Sequence, residues 1–198
     1  ALPIFMEDNL KDTLRKNMLH QRKSMKMQDV SDFSNKIIGT IMELPEFINC
    51  KNIMLYLSFN KEVDTFPLAK WCLDNGKTVI APYCIQSKRE IIPFKINNLS
   101  TDLSKSSMGV MEPKHDLLDK VNIKDIDLII VPGVVFDKHC NRIGFGAGYY
   151  DRFLPKKTKL TPTIGIAYDY QIIDKVPTGE YDMPLDFIIT EKRIIFPE

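Results

Sequence analysis

At 198 residues and 44% hydrophobic content, the chain suits one domain with a single core. Twenty-seven basic against 26 acidic residues leave a net charge of +1, which excludes a global field for nucleic acid or an anionic membrane; any cationic site must be local. Four scattered cysteines without a C-x-x-C pair and three unclustered histidines argue against structural zinc and a disulfide scaffold, and the lack of a membrane-length apolar run or signal-peptide layout implies a cytoplasmic protein.

Residues 1–5 precede Met6, match nothing that follows, and are set apart as a remnant from a domain spanning 6–198. From Asp8 to about Met27 the pattern predicts a helix with Leu10, Leu14, Met18 and Met25 as its apolar stripe and Lys11, Arg15 and Arg22 along the edge. Charges so placed ordinarily form a solvated flank whose stems cover apolar surface. A second helix, Ser31 to Leu44, turns Phe33, Ile37, Ile41 and Leu44 inward and stops at Pro45. Ile53 to Leu57 is continuously apolar, as a strand covered on both faces should be. A helix from Phe66 to Asn75, closed by Gly76, and a strand from Thr78 to Ala81 complete a βαβ unit. Glu90 to Ile96 is a strand that Pro93 pushes toward a sheet edge. Leu99 to Asp119 is irregular, with a turn or short extended bridge at 108–113. Leu128–Val131, Thr163–Ala167 and Phe187–Thr190 are further buried strands. The alternation predicts a single-domain, three-layer α/β/α fold with a mostly parallel central sheet. Ligands of such sheets sit at the carboxyl ends of the strands, where residues 58–65, 132–151 and 168–186 fall.

One of those segments reads NRIGFGAGYYDRFL, from Asn141 to Leu154, with Gly144, Gly146 and Gly148 at alternate positions. Glycines there allow φ > 0 and let backbone N–H groups approach an anion, and the helix expected from Tyr149 adds its dipole. No Gly-Lys-Ser/Thr closes the loop, and the third glycine comes one residue too early for a dinucleotide fingerprint. With Arg142, Asp151 and Arg152 flanking it, the loop reads as a phosphate site rather than a packing hairpin. His139 and Cys140 are neighbours that an extended chain points to opposite faces, so they make a poor catalytic dyad.

Four separated motifs in order carry a family resemblance: K-x-x-L-R at Lys11 to Arg15, LSFNKEVDT at Leu57 to Thr65, PGVVFDKHCNRIGFGAGYYDRFL, and YDMPLDFIITE at Tyr181 to Glu191. In these the chain resembles the 5-formyltetrahydrofolate cyclo-ligases, also called methenyltetrahydrofolate synthetases. The resemblance implies use of ATP and Mg²⁺ to convert 5-formyltetrahydrofolate into 5,10-methenyltetrahydrofolate with release of ADP and phosphate, by a monomer with no nucleic-acid or membrane partner. It also implies roles. Lys11, Arg15, Arg142, Gly144, Phe145, Gly146, Ala147, Gly148, Tyr149 and Tyr150 would hold ATP. Leu57, Phe59, Glu62, Phe145 and Tyr149 would hold the folate, and Asp151 and Asp182 the metal, with Asp186 as rival for the second contact. Arg22 matches no motif and is read as solvated. Phe145 and Ala147 depart from relatives that often carry a basic residue or glycine there, leaving Arg152 or Lys138 as candidate cations for the transferring phosphoryl group. Two other readings stay open: a phosphate-binding enzyme of the same architecture, such as a phosphosugar isomerase or acyl-CoA transferase, and, from a different class, a folate- or nucleotide-binding regulator that keeps the loop without turnover.

Overall fold

Successive residues of each central strand feed two separate cores, the period-two alternation expected of a sheet covered on both sides. Ile53, Leu128, Ile130, Ile164 and Ile166 join one core with Ile37, Ile41 and Leu68. Met54, Ile129, Val131 and Ile188 join the other with Tyr150, Phe153 and Leu154.

The computed structural model describes residues 4–198. Its chain runs through α1 (Ile4–Lys23), α2 (Met27–Glu43), α3 (Pro45–Ile48), β1 (Asn52–Met54), α4 (Phe66–Asp74), β2 (Thr78–Ile85) and β3 (Glu90–Ile96). A two-stranded sheet follows, β4 (Leu103–Lys105) with β5 (Met111–Pro113), then β6 (Leu128–Val131). The remainder comprises β7 (Val135–Asp137), β8 (Arg142–Ile143), α5 (Tyr149–Phe153), β9 (Thr163–Ile166), β10 (Ile172–Ile173), β11 (Phe187–Ile189) and β12 (Ile194–Ile195). The main sheet has the order β12-β11-β9-β6-β1-β2-β3; its inner strands are parallel, and the two edge strands are antiparallel to their neighbours. The predicted α/β/α sandwich is therefore present. Pro93 lies in the edge strand β3, where a missing N–H costs least. The second covering layer is thin, made of α5 and a small sheet ordered β10-β7-β8.

Several boundaries differ from the sequence pattern. Helix α1 takes in Ile4 and Phe5, which the pattern excludes, while residues 1–3 of the presumed remnant lie outside the described residues. It ends at Lys23, where Ser24 N is shared between His20 O and Gln21 O and Met25 N turns back to Arg22 O, tightening the last turn. Leu10 is 41% exposed, so the buried stripe narrows to Leu14 and Met18, which pack on the small sheet rather than the main one. Helix α2 starts at Met27, ahead of Ser31. Strand β1 stops at Met54, although Leu55, Tyr56 and Leu57 stay buried and Leu55 N still donates to Ile80 O at 3.0 Å. β2 extends to Ile85 because β3 folds back along its whole length.

The small sheet was not visible as such in the sequence, yet it aims the site. Asp137 is fully buried at the end of β7. Its Oδ1 accepts from His139 N at 2.9 Å and Asn141 N at 3.0 Å, and its Oδ2 from Val176 N at 3.0 Å. This satisfied carboxylate fixes the hairpin turn and sets Arg142 at the start of β8. Cys140 lies in that turn, buried, with its thiol pushed up to about 11, mainly by burial. All four cysteines are free thiols. Among the described residues no helix is long and apolar enough to cross a membrane.

Candidate active site

Strand β8 delivers the chain into the glycine loop at the carboxyl end of the main sheet. Gly146 and Gly148 have φ of +106° and +72°, but Gly144 does not adopt a left-handed conformation. Its small size serves a different need: a Cβ there would stand 2.9 Å from Arg142 Nη1. Comparable Cβ atoms would lie 3.5 Å from Arg15 Cζ at Gly146 and 3.1 Å from Arg152 Nη1 at Gly148. Each alternate glycine thus admits one guanidinium. The helix that follows is only five residues long, so its dipole contributes less than expected and side-chain cations carry the charge.

Those cations come from two directions. From β8, the Arg142 side chain is 6% exposed; its Nη1 donates to Pro132 O at 3.1 Å and its Nη2 lies 3.8 Å from Asp151 Oδ1. Its Cζ sits 5.3 Å from the Tyr150 ring centroid, which places Tyr150 beneath the guanidinium. Arg142 Nε is buried without a partner. From α1, Arg15 Nε donates to Gly144 O at 2.7 Å and its Nη1 pairs with Asp12. Lys11 Nζ is 3.0 Å from Asp182 Oδ2.

Asp151 and Asp182 fall in this same cluster. Burial raises the Asp151 carboxyl above its ordinary range; Arg142 pulls it down, Asp182 pushes it up, and Lys11 opposes that push. Asp186 is committed elsewhere, its Oδ2 accepting from Thr163 N at 2.7 Å and Thr163 Oγ1 at 3.1 Å, where it tethers the start of β9. Lys138 pairs with Asp174 at 2.8 Å beside the β7–β8 turn, and Arg152 Nη1 is spent on Ala147 O at 2.9 Å. Lys138 thus points to a surface pair, whereas Arg152 lies against the loop at Ala147 and Gly148.

Opposite the loop stands a turn closed by Glu62 N donating to Phe59 O at 3.1 Å, with Asn60 and Lys61 both left-handed at φ 48° and 61°. Two strained residues in succession need external support. Lys61 supplies it: its Nζ donates to Lys23 O at 2.7 Å and Met25 O at 2.6 Å, bracing the end of α1, while its carbonyl accepts from Tyr168 Oη at 2.9 Å. Glu62 Oε1 accepts from Phe59 N at 2.9 Å. Burial pushes the Glu62 carboxyl up to about 7, opposed first by Arg22 and then by the Phe59 N–H. Leu57 is buried below the turn, Phe59 packs against Gly109, Phe145 lies beside Arg22, and Tyr149 packs against the second core.

Arg22 is the residue that the sequence reading misplaced. It is 3% exposed rather than solvated, and its Cζ lies 5.7 Å from the Phe145 ring centroid. A signal was present: Lys11, Arg15 and Arg22 are four and seven residues apart, about one and two helical turns, so they share one line.

A glycine loop walled by cations at the carboxyl ends of a parallel sheet, with paired aspartates beside it, defines a phosphate-handling α/β enzyme. The sequence model of the 5-formyltetrahydrofolate cyclo-ligase family matches residues 7–191. The chain is similar to the 5-formyltetrahydrofolate cyclo-ligase of Escherichia coli (strain K12), 28% identical over 88% of this chain and 96% of that protein. Its fold is similar to that of 5,10-methenyltetrahydrofolate synthetase from Aquifex aeolicus, with a TM-score of 0.83 and 35% identity, covering 94% of this chain and 92% of the other. The corresponding synthetase of Mycoplasma pneumoniae gives a TM-score of 0.74 at 29% identity, covering 91% and 98%. The chain belongs to the 5-formyltetrahydrofolate cyclo-ligase family, and it is an ATP-dependent ligase of folate metabolism.

Proposed function

We propose that ATP and 5-formyltetrahydrofolate meet in the gap between the glycine loop and the Phe59–Glu62 turn, where the protein cyclises the folate to 5,10-methenyltetrahydrofolate. The observation that carries this reading is the convergence of Arg15 and Arg142 on the loop that holds Gly144 to Gly148, with Lys11 close by on Asp182. In this reading the triphosphate lies along that loop. The half-buried Glu62 carboxylate accepts N–H bonds from the pterin, and Leu57, Phe59, Phe145 and Tyr149 provide apolar walls. Tyr150 acts from beneath, holding Arg142.

An N-formyl group is an amide whose oxygen leaves poorly. As the formyl oxygen forms a bond to the γ-phosphorus, the bridging P–O bond breaks and ADP departs with the electron pair. N10 then attacks the activated carbon and gives its proton to solvent, and inorganic phosphate leaves with the former formyl oxygen. No covalent nucleophile from the protein is required, so its tasks are orientation and charge stabilisation. Asp151 and Asp182 would hold Mg²⁺ through hard carboxylate oxygens, Asp182 exchanging its contact with Lys11 for the ion, since Mg²⁺ needs only one or two carboxylates beside phosphate oxygens and water. Bound there, Mg²⁺ supplies charge neutralisation at the phosphates. The reading extends to a monomer acting in the cytoplasm.

Mixing the protein with Mg-ATP and 5-formyltetrahydrofolate should produce the methenyl absorbance and stoichiometric ADP. ADP release without the chromophore, or neither product, would overturn the assignment.

Glu62 gives a pH-dependent prediction. Its folded value of about 7 lies above the ordinary 4.5, so the ionised form is penalised in the fold as pH rises from about 4.5 through 7. Glu62→Gln removes that penalty and should raise Tm by several degrees at pH 8, with no change at pH 4. The same variant should raise the folate KM about tenfold and leave the ATP KM within about twofold, since one charge-assisted hydrogen bond is lost. Thermal melts at both pH values and steady-state kinetics check the two halves; equal loss of both affinities would place the pterin elsewhere.

A further inference from the structure

Four cations of the site differ in how they are engaged. Lys11 is paired with Asp182, Arg15 with Asp12 and Gly144 O, and Arg142 with Pro132 O and Asp151. Arg22 is buried to 3% exposure, yet among the described residues its guanidinium makes no hydrogen bond and no ion pair. Among the described residues Arg142 Nε is the fully enclosed side-chain nitrogen that lacks a partner, so the unbonded nitrogens of Arg22 are not fully enclosed. A guanidinium always carries its charge and presents five donors, and burying it without acceptors opposes folding. Its position is nonetheless fixed, because Lys61 clamps two carbonyls just beyond it, Lys23 O and Met25 O. The clamp holds Arg22 against the middle of the glycine loop, over Phe145, while on the other side its charge acts on the Glu62 carboxylate.

We infer that Arg22 is a catalytic residue of the ligase, donating to the oxygens of the phosphoryl group as it passes from ATP to the formyl oxygen. The inference rests on the substrate placement proposed above. Phe145 belongs to the loop assigned to the triphosphate and Glu62 to the turn assigned to the pterin, so a guanidinium between them faces the point where donor and acceptor meet. Charge spreads over the three equatorial phosphoryl oxygens during transfer, and a preorganised donor acts most strongly there. The loop itself offers no cation, having Phe145 and Ala147 where one could stand. Arg22 reaches the same place from α1, and the exposed Phe145 ring serves as the surface on which the guanidinium rests.

The test uses the full chain with Arg22→Met and Arg22→Lys, measured beside the unaltered protein. Arg22→Met should lower kcat about 10²- to 10³-fold while KM for ATP and folate change less than about threefold. Titration calorimetry with Mg-ATP should show nearly unchanged binding, and Arg22→Lys should recover part of kcat because charge returns without the fork. A kcat within threefold of the unaltered protein for Arg22→Met overturns the inference. So does loss of turnover in both variants accompanied by loss of their far-UV circular dichroism, which would assign Arg22 to the fold. An unaltered protein that binds Mg-ATP but forms no methenyl product would instead remove the functional reading on which the inference stands.

Discussion

Arg142→Met is expected to lower kcat/KM for ATP about 10³-fold while Tm stays within a few degrees of the parent value or rises. The two effects separate because the guanidinium is placed for a ligand at the expense of the fold. Its side chain is 6% exposed, its Nε has no partner, and its contact with Asp151 is stretched to 3.8 Å. Burial accordingly holds its pKa below the ordinary arginine value, with Asp151 the main opposing influence. Replacing so poorly compensated a charge by an apolar side chain of similar length is commonly neutral or stabilising. Its loss as a phosphate ligand has no substitute, since an arginine acting on a phosphoryl group contributes about 10³ or more to the rate. Arg142→Lys should not restore activity, because a single ammonium cannot reach both Pro132 O and the Asp151 side. Steady-state kinetics with differential scanning fluorimetry provide the check. A fall in Tm of 10 °C or more alongside the loss of activity would make Arg142 a structural residue instead.

Asp151→Asn should reduce turnover about 10²-fold or more and raise the Mg²⁺ concentration for half-maximal rate at least tenfold, with only a small change in stability. The carboxyl of Asp151 is raised by burial, so its ionised form carries a penalty in the fold at neutral pH, present above its ordinary range and relieved as pH falls through the raised folded value. The substitution removes that penalty but also takes a counter-charge from Arg142, and the two changes offset each other. The metal has no such compensation, because a neutral amide is a weaker ligand for a hard cation than a carboxylate. Titrating Mn²⁺ and following its magnetic resonance signal reads metal binding apart from catalysis. An unchanged divalent-cation requirement would separate Asp151 from the metal.

The parts legible in the sequence were those whose signal is periodic or repeated in one window. Ile53, Leu128, Ile164 and Phe187 begin or sit within runs too apolar for anything but two-sided burial, and they gave the parallel sheet its strands. Lys11 and Arg15 stood out as a basic line beside an apolar stripe, and Gly144 to Gly148 as an alternation that packing alone seldom demands. Other features have no local signature. Strands β7, β8 and β10 are three, two and two residues long, too short for a period, so the platform beneath Arg142 exists only through long-range contacts such as those of Asp137. Arg22 was hidden by its type. An isolated arginine on a helix edge is ordinarily solvated, and what encloses it here is a turn some 40 residues later, braced by Lys61. Asp182 and Asp186 were likewise indistinguishable in sequence; in the fold Asp186 accepts from Thr163, and Asp182 accepts from Gly179 N and pairs with Lys11 of the cationic cluster.

The three alternate glycines each leave room for a particular guanidinium: Arg142, Arg15 and Arg152 in turn. Across evolutionary time, then, the loop and its arginines should drift as matched couples. A relative that gains a methyl group at the first of these sites should have shortened or surrendered the arginine two residues before it, whereas change at the second should be felt far upstream, near the start of the polypeptide.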